Sequence, residues 1–370
     1  MKQRVLLVDQ YNKMGGGQSV LIDLINSLVR LGYDCTVAVP QGGYIENNVT
    51  RANFHYLPAL KLTNEKKSVF DSLKLMLHYI RILSIIKNVC KADIIYINGP
   101  RYFILFYFIS FFIRRKFIYH VHLDFSNGGK LLLKLLNNQP NTYALVFTSE
   151  FLLNGFLNYI GSNTLFAAKK LHVIEPGLAK KYEGLEFKNR FTDQQTQFNF
   201  ISVGRIYSGK GFELIIDIAR VYNECQFYIV GDPVDDSLVY YESLKKEAPA
   251  NVNFTGSSDN IPQLVNDYNI HFGVIPSDLN EAFGIVATEL MTCSCITFAR
   301  SRGGLKEIAA NTGAISFEDR DSLLTAINTV MAMLPEAKSA LAFTQFSNTK
   351  TLYNTLVFTK KLNRLLAVKL

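Results

Sequence analysis

Two glutamates, Glu281 and Glu289, flank a short apolar stretch that contains one glycine in the segment EAFGIVATE (281–289). Gly284 interrupts the pattern, and the apolar run after it predicts a helix that begins near this glycine. The first turn of a helix has free backbone N–H groups and the positive end of the helix dipole, which favour an anion. Carboxylates accept hydrogen bonds from hydroxyl groups. The segment therefore predicts a phosphate site at a helix end, with one acid for a sugar and one for a ribose.

Two cations, Arg205 and Lys210, lie on one glycine-containing loop in SVGRIYSGKGFELIIDIA (202–219). The apolar runs around this loop predict a strand before it and a helix after it. Ligands of open α/β sheets bind beyond the carboxyl ends of strands, so both cations are expected at a binding site. Two cations on one loop suit a diphosphate. For this segment alone, an ordinary solvated loop is the alternative.

The elements that must position these residues are short apolar runs that alternate with helical patterns. Strands are predicted at 4–9, 34–40, 92–99, 116–122, 142–150 and 171–177, and again at 198–204, 225–231, 252–256, 270–276 and 295–299. Amphipathic helices are predicted at 19–32 and 211–223. This alternation predicts parallel sheets covered by helices. We expect an α/β fold of two Rossmann-like, doubly wound domains that face a cleft.

The chain length of 370 residues also predicts two domains. Residues 178–197 are polar and weakly patterned, and we interpret them as a linker. The expected N-terminal domain is 1–177 and the C-terminal domain is 198–340. A helical segment at 341–370 is expected to pack back toward the N-terminal domain.

The longest apolar run, Tyr102–Ile113, has 12 residues, whereas a membrane-spanning helix needs about 20. It predicts a buried helix, with a membrane-touching face as the alternative. The basic residues 114–116 follow it, and the net charge is +8 with a pI of about 9.0. This charge favours an anionic membrane surface and a phosphorylated substrate, and no nucleic-acid-binding motif accompanies it. Five cysteines without a CxxC pair, and an N-terminus too short in apolar residues for a signal peptide, favour reduced thiols in the cytoplasm.

Together, the loop with Arg205 and Lys210, the E-x7-E segment and SRGGLKEI (301–308) resemble the donor-binding domain of retaining family-4 glycosyltransferases of the GT-B fold. The resemblance covers nearly the whole chain. It implies that Arg205 and Lys210 hold a nucleotide diphosphate, that Glu289 binds the ribose hydroxyls and that Glu281 contacts hydroxyls of the donor sugar.

The same resemblance implies further donor-binding positions. The backbone at 283–285 (Phe283, Gly284 and Ile285) would line the sugar and phosphates. The strand ends IVGD (229–232) and FTGS (254–257), the second of which contains Gly256, would flank the base. Departures from the family pattern occur at GDPV (231–234), where a glycine is missing, and at Pro176, where Asn is common.

In the first domain, KMGGGQSV (13–20) resembles the family's glycine loop, and YHVHLDF (119–125) resembles its strand-end histidine. The resemblance implies that Gly15 and Gly16 let the backbone approach the donor phosphate or the acceptor. His122 matches the acceptor-site histidine, with His120 as the alternative. Gln18 departs from the Glu that is common at its position.

The implied function is transfer of a sugar, with retention of configuration, from a nucleotide-diphosphate donor to a glycan acceptor. UDP is the expected nucleotide, and a bacterial cell-surface polysaccharide or lipooligosaccharide intermediate is the expected acceptor. The expected location is cytoplasmic, peripheral on the inner face of the membrane. The expected catalytic residues are His122, Glu281, Arg205 and Lys210, with same-face attack and the leaving diphosphate as the proton acceptor.

No metal and no cofactor are expected. The letters DRD (319–321) match a metal-binding motif, but FEDRDSLLTAI predicts a loop followed by a helix N-cap. Two alternatives remain open: a sugar-nucleotide 2-epimerase of the same fold, and a non-catalytic partner subunit of a glycosyltransferase. A nicotinamide dehydrogenase is disfavoured because MGGGQ lacks the G-x-G-x-x-G spacing.

Overall fold

The structure, a computed structural model, describes residues 2–13, 15–49, 51–59, 69–161, 170–192, 197–234 and 237–367. The chain divides into two compact units, Met1–Gly177 with Thr355–Leu370, and Leu178–Asn354. The described part of each unit contains one all-parallel sheet whose strands are joined by helices. The predicted pair of Rossmann-like, doubly wound domains is confirmed.

The sheet of the first unit has seven strands in the order β3-β2-β1-β4-β5-β6-β7. The strands are β1 (Arg4–Val8), β2 (Asp34–Pro40), β3 (Asn53–Leu57), β4 (Ile94–Ile97), β5 (Lys116–Val121), β6 (Thr142–Phe147) and β7 (Leu171–Val173). The helices are α1 (Gly16–Arg30), α2 (Tyr44–Asn48), α3 (Val69–Arg81), α4 (Ile86–Lys91), α5 (Phe103–Phe112), α6 (Asn127–Asn138), α7 (Glu150–Ile160) and, from the C-terminus, α16 (Thr355–Ala367). The winding direction reverses between β1 and β4, which defines the switch point of this sheet.

The sheet of the second unit has six strands in the order β10-β9-β8-β11-β12-β13. The strands are β8 (Asn199–Val203), β9 (Gln226–Val230), β10 (Val252–Gly256), β11 (Phe272–Ile275), β12 (Ile296–Arg300) and β13 (Ile315–Phe317). The helices are α8 (Lys180–Glu183), α9 (Phe212–Val221), α10 (Leu238–Glu247), α11 (Ile261–Asp267), α12 (Ile285–Thr292), α13 (Gly304–Thr312), α14 (Arg320–Met331) and α15 (Pro335–Leu352). Its switch point lies between β8 and β11.

The polar stretch that we interpreted as a linker belongs to the second unit. Three of its apolar side chains, Leu178, Tyr182 and Phe191, are buried in the cores of that unit. The buried Arg190 donates hydrogen bonds to Cys293 O and to Asn266 Oδ1. These buried side chains hold the segment against the second unit, although its average composition is polar.

The C-terminal segment is divided between the units. Helix α15 packs in the second unit, where the Gln345 Oε1 atom accepts from Thr297 N at 2.8 Å. Helix α16 belongs to the first unit, where its Phe358 and Leu362 join the core that contains Leu21 of α1. The part of 341–370 that packs on the N-terminal unit therefore starts at Thr355.

Helix α5, which covers most of the longest apolar run, is buried on one side only. Phe103, Leu105, Phe106, Ile109 and Ser110 form its buried face, as predicted. Its other face is exposed at Ile104, Phe108, Phe111 and Phe112. Among the described residues, no helix has the length and hydropathy needed to cross a membrane. All five cysteines are free thiols, and Cys90 is the exposed one.

Candidate functional site

In the second unit, three loops follow three adjacent strands at the switch point. Arg205 and Lys210 lie on the loop after β8, Glu281 lies on the loop after β11, and Gly303 lies on the loop after β12. The carboxyl ends of adjacent parallel strands lie at one edge of the sheet, so the loops meet there.

Lys210 and Glu281 form an ion pair across two of these loops, with Lys210 Nζ 2.5 Å from Glu281 Oε1. Both side chains are about three-quarters covered, with 21% and 24% of their surface exposed. Arg205 is exposed and makes no ion pair within the described ranges. The sequence-predicted diphosphate ligand and the predicted sugar ligand are thus direct neighbours.

Glycine at 211 allows the first two loops to lie against each other. Gly211 has a φ of +74°, and a Cβ there would lie 2.2 Å from Pro276 O. The amides of Asp278 and Leu279 both donate to Gly209 O, at 2.9 and 3.2 Å. These contacts fix the backbone beside Lys210 to the loop that leads to Glu281.

The glycine turn after β12 supports Glu281 from the other side. The Gly304 amide donates to Glu281 O at 2.7 Å. A Cβ at Gly303 would lie 2.5 Å from the same carbonyl oxygen. The turn in SRGGLKEI therefore positions the backbone of Glu281.

Helix α12 begins at Ile285 with Gly284 as its N-cap, as the glycine break predicted. Gly284 has a φ of +115°, a left-handed conformation that favours glycine. Phe283, just before it, is buried and packs edge-on against Tyr353 at a ring distance of 5.2 Å. The free N–H groups of the first turn therefore lie immediately after the Glu281 loop.

Glu289 lies one turn inside α12 and is half-buried. Burial raises the pKa of its carboxyl group, while the charge of Lys181 and hydrogen bonding by Tyr182 act in the opposite direction. The net pKa remains raised. When it is ionised, the Glu289 carboxylate can accept hydrogen bonds from hydroxyl groups.

The predicted base-flanking strand ends, 229–232 and 254–257, are joined by hydrogen bonds. The Gly231 amide donates to Gly256 O at 2.9 Å, and the Ser257 amide donates to Asp232 Oδ1 at 3.1 Å. Gly256 has a φ of +76°. Hydrogen bonds therefore join the loop after β9 to the loop after β10.

In the first unit, Gly15 and Gly16 lie where α1 starts. Gly15 is the N-cap, and its carbonyl accepts from the amides of Gln18 and Ser19 at 3.1 and 2.9 Å. The predicted glycine loop between β1 and α1 is therefore present, at the switch point of this sheet.

His122 follows β5, and its Nε2 atom lies 2.7 Å from Asn98 Oδ1. Burial lowers the pKa of His122 to about 3. The alternative, His120, is fully buried within β5, and its Nδ1 atom lies 3.0 Å from the Tyr96 hydroxyl. The two imidazole rings are 4.0 Å apart. His122, at the strand end, is the better placed of the two to meet a ligand.

Two polar residues beside His122 were missed in the sequence. Asp9 directly follows β1, and Asn98 directly follows β4. Asn98 Nδ2 donates to Asp9 Oδ2 at 2.5 Å. Both residues lie at the ends of predicted strands, where ligands bind, but only the sheet order brings them together.

The described ranges contain no group of three or more His, Cys, Asp or Glu side chains that could hold a metal ion. The DRD segment has the predicted capping role, because Asp319 caps α14 and accepts from the Ser322 amide at 2.9 Å. Its hydrogen bonds with Ser322 lower the pKa of Asp319.

Two Rossmann-like units, each with polar residues gathered at its switch point, define a protein of the GT-B class. The sequence profile of Glycosyltransferase Family 4 matches residues 14–180, and that of Glycosyl transferases group 1 matches residues 185–341. The chain therefore belongs to the family-4 glycosyltransferases, and it is a glycosyltransferase. No curated protein matches it in sequence.

Solved structures share the fold at low sequence identity. HepE of Anabaena, in complex with UDP and glucose, is 19% identical with a TM-score of 0.80, and the match covers 99% of this chain and 100% of HepE. Sucrose-phosphate synthase from Thermosynechococcus elongatus is 17% identical with a TM-score of 0.78, covering 99% and 98%. A glycosyltransferase from Rickettsia africae is 15% identical with a TM-score of 0.74, covering 100% of both chains.

Proposed function

We propose that the protein transfers a sugar from a UDP-sugar to a glycan acceptor with retention of configuration. The observation that carries the proposal is the Lys210–Glu281 pair, which lies directly before the start of α12. One hydrogen bond joins Lys210, the proposed phosphate-binding cation, to Glu281, the proposed acceptor of hydrogen bonds from sugar hydroxyls. The HepE complexes with UDP, with UDP-glucose and with UDP and glucose support the choice of donor.

In this proposal Arg205 and Lys210 bind the two phosphates, and the free N–H groups of α12 add hydrogen bonds. Glu289 accepts from the ribose hydroxyls, and Glu281 accepts from the donor sugar. Because these donors are already held by packed loops, they can stabilise the charge that develops on the leaving diphosphate.

Retention is proposed to follow from attack on the face that the diphosphate leaves. The acceptor oxygen forms the new bond to the anomeric carbon as the bond to the diphosphate oxygen breaks. The acceptor proton passes to the leaving diphosphate, so no residue of this chain needs to form a covalent bond with the sugar.

The proposed acceptor is a bacterial cell-surface polysaccharide or lipooligosaccharide intermediate on a lipid carrier, with the enzyme peripheral on an anionic membrane. Three helices of the first unit support this proposal. Each exposes an apolar stripe with helical spacing: Leu73, Met76, Leu77 and Ile80 of α3, Ile104, Phe108, Phe111 and Phe112 of α5, and Leu131 and Leu135 of α6.

These stripes lie on one face of the sheet, because right-handed crossovers from β3 to β4, β4 to β5 and β5 to β6 all run in one direction. The Tyr79 hydroxyl donates to Arg101 O at 2.5 Å, which ties α3 to the segment that enters α5. The sequence from 69 to 138 contains ten Lys and Arg residues and three Asp residues. Apolar stripes with surrounding positive charge suit an anionic lipid surface.

The experiment that tests the function is thermal unfolding with UDP, GDP, ADP, dTDP and CMP, with and without EDTA, in wild type and Glu289→Ala. A ligand at about 100 times its Kd stabilises the folded state by about 2.7 kcal/mol, which gives a readily measured shift. We expect UDP to stabilise the wild type and the variant to lose the shift. If no nucleotide stabilises the wild type, the proposal fails and a non-catalytic partner subunit is favoured.

A product assay separates the remaining alternative. With a UDP-sugar and no acceptor, an epimerase releases an epimerised sugar nucleotide, whereas the proposed transferase does not. Detection of that product by mass spectrometry with sugar analysis would overturn the transferase proposal.

A further inference from the structure

A chain of hydrogen bonds joins the ends of three adjacent strands in the first unit. Asp9 follows β1, Asn98 follows β4 and His122 follows β5, and the sheet order places these strands side by side. The chain runs from Asp9 through Asn98 to His122, beside the start of α1. It therefore occupies the switch point of the sheet, where ligands of such folds bind.

Asp9 determines which way the Asn98 amide faces. The Asp9 carboxyl group accepts from the backbone amide of Tyr11 at 3.0 Å and from the side-chain Nε2 of Gln18 at 3.3 Å. It is surrounded by donors, and the remaining neighbour at its Oδ2 atom is Asn98 at 2.5 Å. Burial raises the pKa of Asp9, so the orientation of Asn98 is best read from its second contact. The NH2 group of Asn98 lies between Asp9 Oδ2 and Gly17 O, and a backbone carbonyl only accepts, so Nδ2 must be the atom on this side. The Asn98 oxygen then faces His122.

This orientation fixes the proton on the imidazole ring of His122. A carbonyl oxygen only accepts, so the 2.7 Å contact between Asn98 Oδ1 and His122 Nε2 requires a proton on Nε2. Burial lowers the pKa of His122 to about 3, so the ring is neutral at physiological pH. In a neutral ring with a proton on Nε2, Nδ1 has a lone pair and can only accept.

We propose that Asp9 and Asn98 are positioning residues that hold His122 as its Nε2–H tautomer, so that Nδ1 accepts a hydrogen bond from a sugar hydroxyl. The assignment rests on the proposed function, since it takes His122 to be a substrate-contacting residue. His122 then orients a hydroxyl group and does not remove its proton.

The same network reaches the glycine loop. Asn98 Nδ2 also lies 3.2 Å from Gly17 O, and Gln18 lies beside Asp9. Other titratable groups nearby are His120, whose tilted ring lies 4.0 Å from that of His122, Tyr96, which contacts His120, and Tyr102, whose pKa the charge of Asp9 helps to raise. One buried acid thus orients the start of α1 and the imidazole ring together.

The first test is nitrogen NMR of histidine-labelled full-length protein, with the His122 signals assigned by their loss in His122→Gln. We expect the neutral Nε2–H pattern across pH 5–8. In Asn98→Ala the Nε2–H acceptor is lost, so we expect a mixture of tautomers and a higher KM for the acceptor than in wild type. An Nδ1–H tautomer or a charged ring in wild type at pH 7, or an unchanged spectrum in Asn98→Ala, would overturn the proposal.

A swap variant, Asp9→Asn with Asn98→Asp, keeps one acid and one amide in the network and guards against misfolding of Asn98→Ala. It places the carboxylate against His122 Nε2–H, so the pKa of His122 should rise and a charged ring should appear at higher pH than in wild type. An unchanged His122 titration in a folded swap variant contradicts the proposal.

Asn137→Ala is the matched control, because Asn137 is a buried asparagine of α6 in the same unit. We expect it to lower stability without changing the His122 signals. The UDP-induced thermal shift separates the two proposals: its absence in wild type removes the proposed function, while the His122 tautomer, measured without substrate, decides the positioning role.

Discussion

Lys210 Nζ lies 2.5 Å from Glu281 Oε1, so the cation predicted to bind phosphate is paired with the acid predicted to bind sugar. The two residues are 71 positions apart in sequence and meet because β8 and β11 are neighbours in the sheet. A diphosphate that approaches Lys210 must compete with Glu281 for the ammonium group. Each residue therefore affects what the other can bind.

The first prediction separates these two roles. Lys210→Met should weaken UDP binding roughly 10- to 100-fold, since a hydrogen bond to a charged group contributes about 1.5–3 kcal/mol. Glu281→Gln should leave UDP binding equal or tighter, because it releases the ammonium group, while sugar transfer falls sharply. Isothermal titration with UDP and a transfer assay measure both effects.

Lys246→Met, on the exposed face of α10, is the matched control and should change neither quantity. Loss of UDP affinity in Glu281→Gln equal to that in Lys210→Met would show that the pair acts as one unit, contrary to the prediction.

The second prediction concerns the glycine that lets the two loops touch. Gly211→Ala places a Cβ 2.2 Å from Pro276 O at a φ of +74°, so it should separate the loops and weaken UDP binding as well as stability. Gly184→Ala should be neutral or slightly stabilising, because nothing lies within 4 Å of its Cβ position and its φ is −84°. Thermal unfolding with and without UDP measures both variants. Equal behaviour of the two alanine variants would be contrary to this account.

The strand-and-helix pattern of both sheets could be predicted because their inner strands are continuous apolar runs. Two of the four edge strands, β3 and β13, were missed, whereas the edge strands β7 and β10 were predicted. Strand β13 has three residues, and β3 (NFHYL) mixes polar and apolar residues because an edge strand is covered less completely than an inner one. Composition thus identifies some edge strands and misses others.

The donor-side residues could be predicted because their types are chemically unusual: two cations on one loop, and two acids around a glycine. Asp9 and Asn98 could not be recognised in this way, since single polar residues after strands are common. Their meaning depends on sheet order, which places β1, β4 and β5 together although the residues are 89 positions apart. The polar stretch 178–197 was misjudged for a similar reason, because a few buried side chains anchor it.

The third prediction uses the raised pKa of Glu289. Because folding raises this pKa above the ordinary value of 4.5, the ionised carboxylate lowers stability at neutral pH. Glu289→Gln should therefore raise the stability of the ligand-free protein at pH 7 while it weakens UDP binding. Well below pH 4.5 the wild-type carboxyl is protonated in both states, so the stability difference should disappear there. It should grow as pH rises from 4.5 toward the raised pKa and be constant above it.

Urea unfolding between pH 4 and pH 8 measures this difference. Glu186→Gln, an exposed glutamate of the same unit, is the control and should show little dependence. A Glu289→Gln protein that is less stable than wild type at pH 8 would mean that the contacts of the carboxylate outweigh its burial.

The fourth prediction tests the apolar stripe of α5. Phe112 is 88% exposed, and Phe108 lies one turn before it on the same side of the helix. Inserting one such side chain into lipid contributes about 1.5–3 kcal/mol. Phe108→Ser with Phe112→Ser should therefore weaken binding to anionic vesicles by roughly 100-fold or more, measured by sedimentation at low salt.

High salt should weaken vesicle binding by the wild type, because it screens the cations around the stripe. The matched control is Leu238→Ser with Val239→Ser, two exposed apolar residues of α10 in the second unit, which should leave vesicle binding unchanged. Both double variants should keep the UDP-induced thermal shift, since neither pair lies in the donor-site loops. If the wild type does not sediment with anionic vesicles at low salt, or if the α5 variant binds as well as the wild type, the exposed stripes do not serve membrane binding, and the acceptor must reach the enzyme without a shared lipid surface.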